Sequence, residues 1–438
     1  MCSKNSALPL AAQCEIVLLC FIMKRATCRI SGEPLVELFS LGTLHVSDFL
    51  PQHEEPRIEP VPLTVMLAPK SGLVQLAHTA NFDDMYRHYW YRSGTNESMV
   101  EELKQIATST ARHARMQPGD IFLDIACNDG TLLSFLQSGI KRVGFDPAYN
   151  TYEEANKQNF DLFVNDYFSA AAYKKVFKQK ASVITTIAMF YDLEDPHTFV
   201  KDIQDVMDDN GLWVVQMSYL PLMLKQLAFD NICHEHLKYY SLHAFKHLMD
   251  MHGLAIVDCQ LNDVNGGSFR IYVRKQGADP TTFATAPYRD VATYRVQSIL
   301  AQEKTLRLDD PQTYINFYKQ CCDLRDQTLA FMKAEKAKGK KIWAYGASTK
   351  GNTLLQWWGI DNTLVDGIAE RQPMKYGLKT VGSNIPIYPD EDMRKANPDY
   401  LLVLPWHFIE SFVRREREFL DRGGKFILPC PYFEVIGK

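Results

Sequence analysis

The chain of 438 residues carries 48 Lys and Arg against 52 Asp and Glu, a formal net charge of −4, and 46% of its residues are hydrophobic. This composition is typical of folded multidomain proteins and excludes a mainly disordered or collagen-like chain. A protein that binds polyanions usually carries a basic excess, so we expect no nucleic-acid partner. The ten cysteines are scattered and form no C-x-x-C pair, which favours reduced thiols and a cytoplasmic location.

The stretch from Ala7 to Met23 is mostly apolar, but Gln13 and Glu15 interrupt it. It is shorter than the ~20 residues that a membrane-spanning helix needs. A signal peptide is not favoured either, because Lys4 is its single early positive charge and no small-residue cleavage site follows. We therefore expect no membrane partner, and we interpret residues 1–22 as a dispensable extension.

Residues 23–76 contain five prolines between positions 51 and 69 and no long helical period, which predicts a small, irregular β-rich module. A helix is predicted near 98–114, and apolar strands then alternate with amphipathic helices. The strands are predicted at 121–126, 142–146, 162–165, 182–188, 211–217 and 269–274, and the helices at 131–138, 152–158, 197–207 and 241–251. This alternation over residues 77–285 predicts a parallel sheet with helices on both faces.

The last part of the chain, residues 286–438, begins with charged helical sequence. Its lysine-rich end at 333–341 fits a solvated helix face better than a nucleic-acid patch, because Glu335 interrupts it and no aromatic residues interleave. A second alternation follows, with strands predicted at 341–345, 364–369, 400–404 and 425–428 and helices at 351–358 and 409–420. The chain is therefore predicted to be an α/β protein with a second, smaller α/β domain at its C-terminus.

Small and acidic residues follow three consecutive predicted strands at their carboxyl ends. Ligands bind at this edge of a doubly wound sheet, because the turn backbone can approach them closely. The carboxylate that ends the second strand can accept hydrogen bonds from both hydroxyls of a ribose. We therefore predict a nucleoside site, although each turn alone is also typical of a plain strand-to-helix connection. Its residues are Asp124, Ala126, Asn128, Gly130, Asp146 and Asp166.

The charge of the first turn indicates which nucleoside binds. A dinucleotide site needs a G-x-G-x-x-G sequence, whereas this turn carries Asp124, Asn128 and Asp129. Carboxylates here would repel a pyrophosphate, but they suit S-adenosylmethionine (SAM), which has no phosphate and carries an ammonium and a sulfonium. We therefore expect SAM as the cofactor, and a nicotinamide-dependent enzyme is the weaker alternative.

A second group of reactive side chains is the Cys-His-Glu-His sequence at 233–236, just after the fifth predicted strand. A histidine with a pKa near neutrality is a natural general base, and a neighbouring Glu can orient it. Two other interpretations stay open. One is a metal site formed by His234 and His236 with His243 and His247, although the H-E-x-x-H sequence is absent. The other is a structural role.

At these residues the chain resembles the SAM-dependent sugar C-methyltransferases, which methylate nucleotide-linked keto sugars in antibiotic and polysaccharide pathways. The similar stretches run from about Cys28 to the C-terminus. They are residues 72–76, 89–93, 124–130, 234–242, 266–270 and 343–352. The most specific of them are the H-E-H-L-x-Y-Y-S-L and Y-G-A-x-x-K-G-N sequences.

The resemblance implies a Rossmann-like class I methyltransferase domain between an N-terminal zinc module and a C-terminal α/β domain that binds the sugar nucleotide. It implies that His236 is the base, that Glu235 supports it, and that Tyr89 and Tyr91 line the sugar pocket. His236 would remove the proton next to the sugar ketone, and the enolate would attack the sulfonium methyl. O- or N-methylation stays open, because a His base serves those acceptors too, and so does a non-catalytic SAM- or nucleotide-binding protein.

The C-terminal turn at 346–352 follows a strand and opens a helix, so free N–H groups, the helix dipole and a Lys make it a candidate anion site. It differs from a P-loop, because the Lys precedes the second Gly. We predict that it binds the diphosphate of a sugar nucleotide, against the alternative of a plain connection. The candidate substrate residues are His234, Tyr239, Ser268, Arg270, Ser348, Thr349, Lys350, Asn352, Glu370 and Arg371.

The N-terminal module departs from the family. The two C-x-x-C pairs of the family's zinc module are replaced here by Cys28-Arg-Ile-Ser31 and Ala68-Pro-Lys-Ser71. A single remaining Cys cannot hold a tetrahedral zinc ion. We therefore expect no zinc, no other metal, and a module that is held by packing alone.

Three further departures concern the predicted site. Ala126 replaces the usual first Gly of the cofactor turn, Cys233 stands where the family has a Tyr, and Asp192 stands where some members have a His. Cofactor binding should survive the small methyl group of Ala126. The other two changes leave the identity of the sugar open.

Overall fold

The structure, a computed structural model, describes residues 24–437, so the extension proposed for residues 1–22 lies outside the described residues. The strands, numbered in chain order, are β1 Val36–Leu44, β2 Phe49–Pro51, β3 Val61–Ala68, β4 Leu73–Leu76, β5 Ile121–Ile125, β6 Lys141–Phe145, β7 Leu162–Val164, β8 Ala181–Ile187, β9 Met207–Ser218, β10 Lys238–Tyr239, β11 Leu254–Asn262, β12 Ser268–Lys275, β13 Ile342–Tyr345, β14 Ile368–Glu370, β15 Leu378–Thr380, β16 Ile387–Pro389, β17 Tyr400–Val403, β18 Lys425–Leu428 and β19 Glu434–Ile436.

The α-helices, numbered in the same way, are α1 Phe82–Tyr86, α2 Glu97–His113, α3 Thr131–Ser134, α4 Tyr149–Glu154, α5 Ala170–Val176, α6 Pro196–Val206, α7 Leu220–Lys225, α8 Leu242–Met251, α9 Ala286–Thr305, α10 Pro311–Ala337, α11 Thr349–Trp358, α12 Asp390–Ala396, α13 Ile409–Arg415 and α14 Arg417–Asp421. None of the helices between residues 24 and 437 is long and apolar enough to cross a membrane.

The central sheet has the strand order β11-β12-β9-β8-β5-β6-β7. Strands β5 to β9 pair in parallel, whereas β12 is antiparallel to both β9 and β11. The order reverses between β5 and β8, which makes the carboxyl ends of these strands the switch point of a doubly wound sheet. The predicted parallel sheet is confirmed, and it has the Rossmann-like, doubly wound arrangement.

The C-terminal sheet has the order β16-β14-β13-β17-β18-β19, parallel except for β19, with its own switch point between β13 and β17. The second α/β domain is thus also confirmed. The helix predicted at 409–420 is instead two helices, because the chain leaves helical geometry at Glu416 (φ −99°, ψ 41°). The buried Glu416 carboxylate accepts hydrogen bonds from Tyr345 Oη (2.7 Å) and Arg394 Nη2 (2.6 Å).

The N-terminal module is a four-stranded sheet of order β1-β3-β4-β10, and its last strand comes from the central part of the chain. Lys238 pairs with Gln75, and Tyr239 pairs with Val74, in antiparallel register. On the other side, the Phe39 ring stacks on Tyr318 of α10 at 4.7 Å. The module therefore shares its core with both α/β domains instead of enclosing one of its own.

The four positions where the family carries zinc ligands meet at one end of the module. Cys28 Sγ lies 3.6 Å from Ser71 Oγ, which lies 3.5 Å from Ser31 Oγ. One thiol and two hydroxyls do not supply the ligands of a tetrahedral zinc, so these residues do not fit the metal. The Glu33 carboxylate instead accepts hydrogen bonds from Ser71 N (2.8 Å), Lys70 N (3.0 Å) and Ser31 Oγ (2.9 Å). The expectation of packing alone is therefore wrong, since a carboxylate also joins the two loops.

Candidate active site

A cavity of about 590 Å³ lies between the central sheet and the C-terminal domain. The carboxyl ends of β5, β6 and β8 open into it from one side. The turn at 348–350 and the loop at 405–408, which follow β13 and β17, line it from the other. The switch points of the two sheets, where α/β proteins bind ligands, thus face one another across a single cavity.

The sequence-predicted residues divide into two groups by position. Those that line the cavity are Tyr89, Tyr91, Asp124, Ala126, Asn128, Asp146, Asp166, Glu235, His236, Ser268, Ser348, Thr349 and Lys350. Those that lie elsewhere are Gly130, His234, Tyr239, Arg270, Asn352, Glu370 and Arg371. The cavity therefore brings together candidates from all three parts of the prediction, namely the cofactor, the base and the substrate.

The cofactor turn is built from buried acids and a strained backbone. Asp124 accepts a hydrogen bond from Thr185 Oγ1 at 2.6 Å, and burial raises its pKa to about 7 against the opposing effect of that bond. Asp146 accepts from the amides of Asn128 (2.9 Å) and Ala148 (3.0 Å). Ala126 has φ 58°, a left-handed conformation that costs a non-glycine residue ~1–2 kcal/mol. The turn thus keeps the shape that glycine normally provides.

Gly130 lies behind this turn and away from the cavity. Its φ is 77°, and a Cβ there would come within 2.2 Å of the Phe160 ring, so only glycine fits. Asp129 does not line the cavity either. Its carboxylate accepts hydrogen bonds from Gly94 N (2.8 Å) and Thr131 Oγ1 (2.6 Å).

Residues 86–94, which we call the tyrosine segment, form one side of the cavity and are bonded to the cofactor turns. The Asn128 side chain accepts from Ser93 N (3.0 Å) and donates to Tyr91 O (3.1 Å). The Asn150 side chain exchanges two hydrogen bonds with the backbone of Tyr89. Asn128, predicted only as a cofactor residue, therefore also holds the segment that carries the predicted sugar-pocket tyrosines.

His236 is buried, and its tautomer is set by the backbone. Its Nδ1 lies 3.0 Å from Asn231 O, and because a carbonyl only accepts, Nδ1 carries the hydrogen of the neutral ring. The basic lone pair is then on Nε2. The Tyr191 ring packs 4.1 Å from the imidazole. Burial, aided by the Lys350 ammonium, lowers the pKa of His236 to about 3, so the ring is neutral at physiological pH.

Two carboxyl groups stand beside His236 and line the cavity. Among the described residues, Glu235 Oε2 and Asp192 Oδ1 have no hydrogen-bond partner, and burial raises the pKa of both groups. The Tyr86 hydroxyl donates to Glu235 O at 3.1 Å. Asp192 lines the cavity, although the sequence marked it only as a departure from the family.

The residues of the His-Glu-His stretch that lie outside the cavity bind the N-terminal module. His234 Nε2 lies 2.9 Å from Val61 O, and burial lowers its pKa to about 4. Tyr239 belongs to β10, in the N-terminal sheet.

Arg270, another predicted substrate residue, also lies outside the cavity. It forms an ion pair with Glu102 at 2.6 Å, on the side of β12 that packs against α2.

The predicted anion turn is partly filled by the protein itself. The Glu370 carboxylate accepts from Ala347 N (2.8 Å) and from Arg371 N (2.7 Å), so an internal anion already binds one amide of the turn, that of Ala347. The Arg371 side chain is exposed. Asn352 is buried and donates to Asp48 O at 3.0 Å, which joins α11 to the N-terminal module.

The alternative of a metal site finds no support in the arrangement of ligands. Over residues 24–437, no group of three or more His, Cys, Asp or Glu side chains is placed to hold a metal ion. His243 and His247 lie on α8 and do not line the cavity.

Several functional candidates were missed by sequence reasoning. They are Tyr86, Asn150, Tyr191, Asn231 and His407. Tyr191 follows β8 at its carboxyl end, a position that the strand pattern predicts to be near the ligand. His407 follows β17 and has the same signal, and Asn150 and Asn231 lie close in sequence to the predicted Asp146 and His236. Tyr86 has no such signal, because a contact between distant segments brings it to Glu235 O.

Two family models match the chain in succession. A methyltransferase domain matches residues 91–258, and a C-methyltransferase C-terminal domain matches residues 263–431. The chain is 28% identical to C-methyltransferase NovU of Streptomyces niveus over 415 residues, which cover 93% of this chain and 96% of that protein.

Solved structures of methyltransferases are also similar over part of the chain. One is the plantazolicin methyltransferase BpumL in complex with SAH, with 12% identity, a TM-score of 0.34, and coverage of 41% of this chain and 86% of that one. Another is a SAM-dependent methyltransferase from Clostridium acetobutylicum, with 13% identity, a TM-score of 0.34, and coverage of 41% and 92%.

Strand order, cavity and sequence matches together define a methyltransferase whose cofactor is SAM. Carboxylates at the strand ends, with a tight turn at Ala126 between them, suit a cationic cofactor that carries no phosphate. The first family model describes a methyltransferase domain, the second describes the C-terminal domain of C-methyltransferases, and the match to NovU covers 93% of this chain. Over both of its α/β domains the chain is similar to C-methyltransferases.

Proposed function

We propose that the protein methylates the carbon next to the ketone of a nucleotide-diphosphate keto sugar in the cytoplasm, with His236 as the base. The observation that carries this proposal is the position of His236. Its Nδ1–H is held by Asn231 O, and it lies in a cavity lined by both switch points. Nε2 is then free to take a proton from a substrate carbon.

The cofactor side of the cavity is formed by Asp124, Asn128 and Asp146, which would bind the cofactor through its polar groups. Bound SAM supplies an electrophilic methyl group on a sulfonium. The tyrosine segment lines the cavity next to this side, where its buried tyrosine rings would exclude water from the reacting groups. Exclusion of water matters because a carbanion beside a proton source would otherwise be reprotonated before it reacts.

The substrate side is formed by Ser348, Thr349 and Lys350, and the N-terminus of α11 at these residues suits a diphosphate. The low pKa of His236 is consistent with its role as a base in a substrate complex. A developing enolate and a diphosphate both bring negative charge into the cavity, and such charge stabilises an imidazolium. The base would therefore become stronger only when the substrate is present.

Exchange of hydrogen tests this proposal without methyl transfer. The protein is incubated in D2O with S-adenosylhomocysteine and a thymidine-diphosphate 4-keto-6-deoxy sugar, and other nucleotide keto sugars follow in turn. We expect deuterium to appear at the carbon next to the ketone with the wild type and not with His236→Gln. The matched control is His243→Gln, which changes an exposed histidine outside the cavity and should exchange normally.

The outcome separates the candidate reactions. Undiminished exchange in His236→Gln would reject this histidine as the base. Methyl transfer without any exchange would favour an oxygen or nitrogen acceptor. Binding of S-adenosylhomocysteine with neither exchange nor transfer, across the sugars tested, would contradict the keto-sugar assignment.

A further inference from the structure

Residues from the C-terminal domain hold the turn to which His236 is bonded. Lys350 Nζ, in the first turn of α11, donates to Asn231 Oδ1 at 2.7 Å. Trp406 Nε1, in the loop after β17, donates to Asp230 Oδ2 at 3.1 Å. Both donors come from the switch point of the C-terminal sheet, and both acceptors are next to the carbonyl that binds His236.

The Asn231 side chain is bonded at both ends. Its Nδ2 donates to Ala228 O at 3.1 Å, while its Oδ1 accepts from Lys350. With the amide held in this way, the backbone carbonyl of Asn231 is aimed at His236 Nδ1. If that carbonyl rotated, the neutral ring would be free to place its hydrogen on Nε2, the nitrogen that must accept the proton.

We infer that Lys350 and Asn231 are positioning residues for His236, so that the C-terminal domain completes the catalytic site of the central domain. This inference rests on the proposed role of His236 as the base. It gives Lys350 a role that differs from direct diphosphate binding. Asn231 does not line the cavity, so any effect of changing it acts through the turn and not through a contact with the substrate.

The first experiment reads the tautomer of His236 and needs no sugar. The protein is labelled with 15N-histidine, and the His236 ring nitrogens are assigned by their loss in His236→Gln. In the wild type we expect Nδ1 to be protonated and Nε2 unprotonated. In Lys350→Met and in Asn231→Ala we expect a mixture of the two tautomers, whereas Lys350→Arg should restore the wild-type pattern.

The second experiment measures the exchange reaction in the same variants. We expect kcat to fall ~10- to 100-fold in Lys350→Met and Asn231→Ala, as is usual when a reacting group is misplaced, with KM changed by less than a few-fold. The matched control is Lys395→Met, which removes an exposed lysine of the C-terminal domain paired with Asp392 at 3.0 Å. It should leave both kinetic constants and the tautomer unchanged.

The tautomer and the kinetic constants together distinguish a positioning role of Lys350 from direct binding of the substrate. If Lys350→Met raises KM and leaves kcat and the tautomer unchanged, Lys350 is a substrate ligand and the inference is overturned. If Lys350→Met does not fold, Asn231→Ala decides the question by the same criteria. Undiminished exchange in His236→Gln would reject the base, while a tautomer change in Lys350→Met would still show that the two domains are connected through Asn231.

Discussion

The side-chain amide of Asn150 and the backbone of Tyr89 form two reciprocal hydrogen bonds. Tyr89 N donates to Asn150 Oδ1 at 3.1 Å, and Asn150 Nδ2 donates to Tyr89 O at 3.0 Å. Asn150 lies in the first turn of α4, just after the predicted ribose ligand Asp146, whereas Tyr89 belongs to the tyrosine segment. The pair therefore joins the cofactor side of the cavity to its proposed sugar side.

Replacing Asn150 with Ala should loosen the tyrosine segment. The loss of two partly buried hydrogen bonds should cost about 1–3 kcal/mol of stability. Calorimetry should show weaker binding of S-adenosylhomocysteine, because ordering the segment then consumes part of the binding free energy. The control is Asn316→Ala, at an exposed position on α10. Unchanged affinity in Asn150→Ala would show that the segment is ordered without this pair.

The cofactor turn should accept glycine at position 126. Ala126 has φ 58°, and relief of this strain should outweigh the greater freedom of glycine in the unfolded chain. We expect Ala126→Gly to raise the free energy of unfolding by up to ~1 kcal/mol in urea denaturation, with cofactor affinity kept. Ala111→Gly, in the interior of α2, should instead lower it by ~1 kcal/mol. A destabilised Ala126→Gly would mean that the methyl group packs favourably in the cavity.

His234 should make the protein less stable in acid. Its folded pKa of about 4 lies below the ordinary 6.5, so below pH 6.5 the unfolded chain binds a proton that the folded one does not. The stability that depends on neutral His234 is complete above pH 6.5 and is lost as the pH falls towards 4. The loss is ~1.4 kcal/mol per pH unit.

A comparison of variants isolates this effect, because the buried Asp192 and Glu235, whose pKa values are raised, act in the opposite direction. Urea unfolding at pH 7.5 and pH 5.0 should show that His234→Asn loses less stability on acidification than the wild type. His53→Asn, at an exposed position, should behave as the wild type does. Equal losses in His234→Asn and the wild type would mean that His234 is protonated in the folded state.

The N-terminal module should accept a zinc ion if its ligands are restored. Zn–S bonds of about 2.3 Å place two sulfurs of a tetrahedral site ~3.8 Å apart. Cys28 Sγ and Ser71 Oγ are already 3.6 Å apart. We expect the Ser31→Cys, Ala68→Cys, Ser71→Cys triple variant to bind Co²⁺ with the absorption of a tetrahedral thiolate site. The wild type should show no such absorption. If the triple variant also lacks this absorption, the two loops cannot adopt the geometry of a tetrahedral site.

Local pattern was sufficient to predict the parallel strands and the helix at 241–251, at whose start Ser241 Oγ accepts from Ala244 N at 3.1 Å. The elements that pattern missed depend on distant partners. Strand β11 is only partly buried and pairs at the edge of the sheet, and the break at Glu416 serves a buried carboxylate. Neither feature alters the periodicity of its own segment, so periodicity does not reveal it.

In the candidate site too, sequence patterns located some residues and missed those whose position depends on distant partners. Residues at strand ends, such as Asp124 and Asp146, could be placed from topology alone, because parallel strands bring their carboxyl ends to one edge. The partner of Lys350 could not be placed in this way, since Asn231 lies on a different domain and far away in sequence. The charge of Lys350 and its sequence motif predicted a bound diphosphate as its partner. In the structure, its ammonium group instead donates to the side-chain amide oxygen of Asn231.

The segment that carries His236 is followed directly by β10, which pairs with β4 in a contact between residues far apart in sequence. Lys238 reaches Gln75 only after the five parallel strands β5 to β9 have been synthesised between them, so this contact closes a very long loop. An excised central domain would keep β10 and lose β4, the strand with which it pairs. The N-terminal module, although it lacks the family's metal ligands, therefore supplies the strand that fixes the chain two residues after His236.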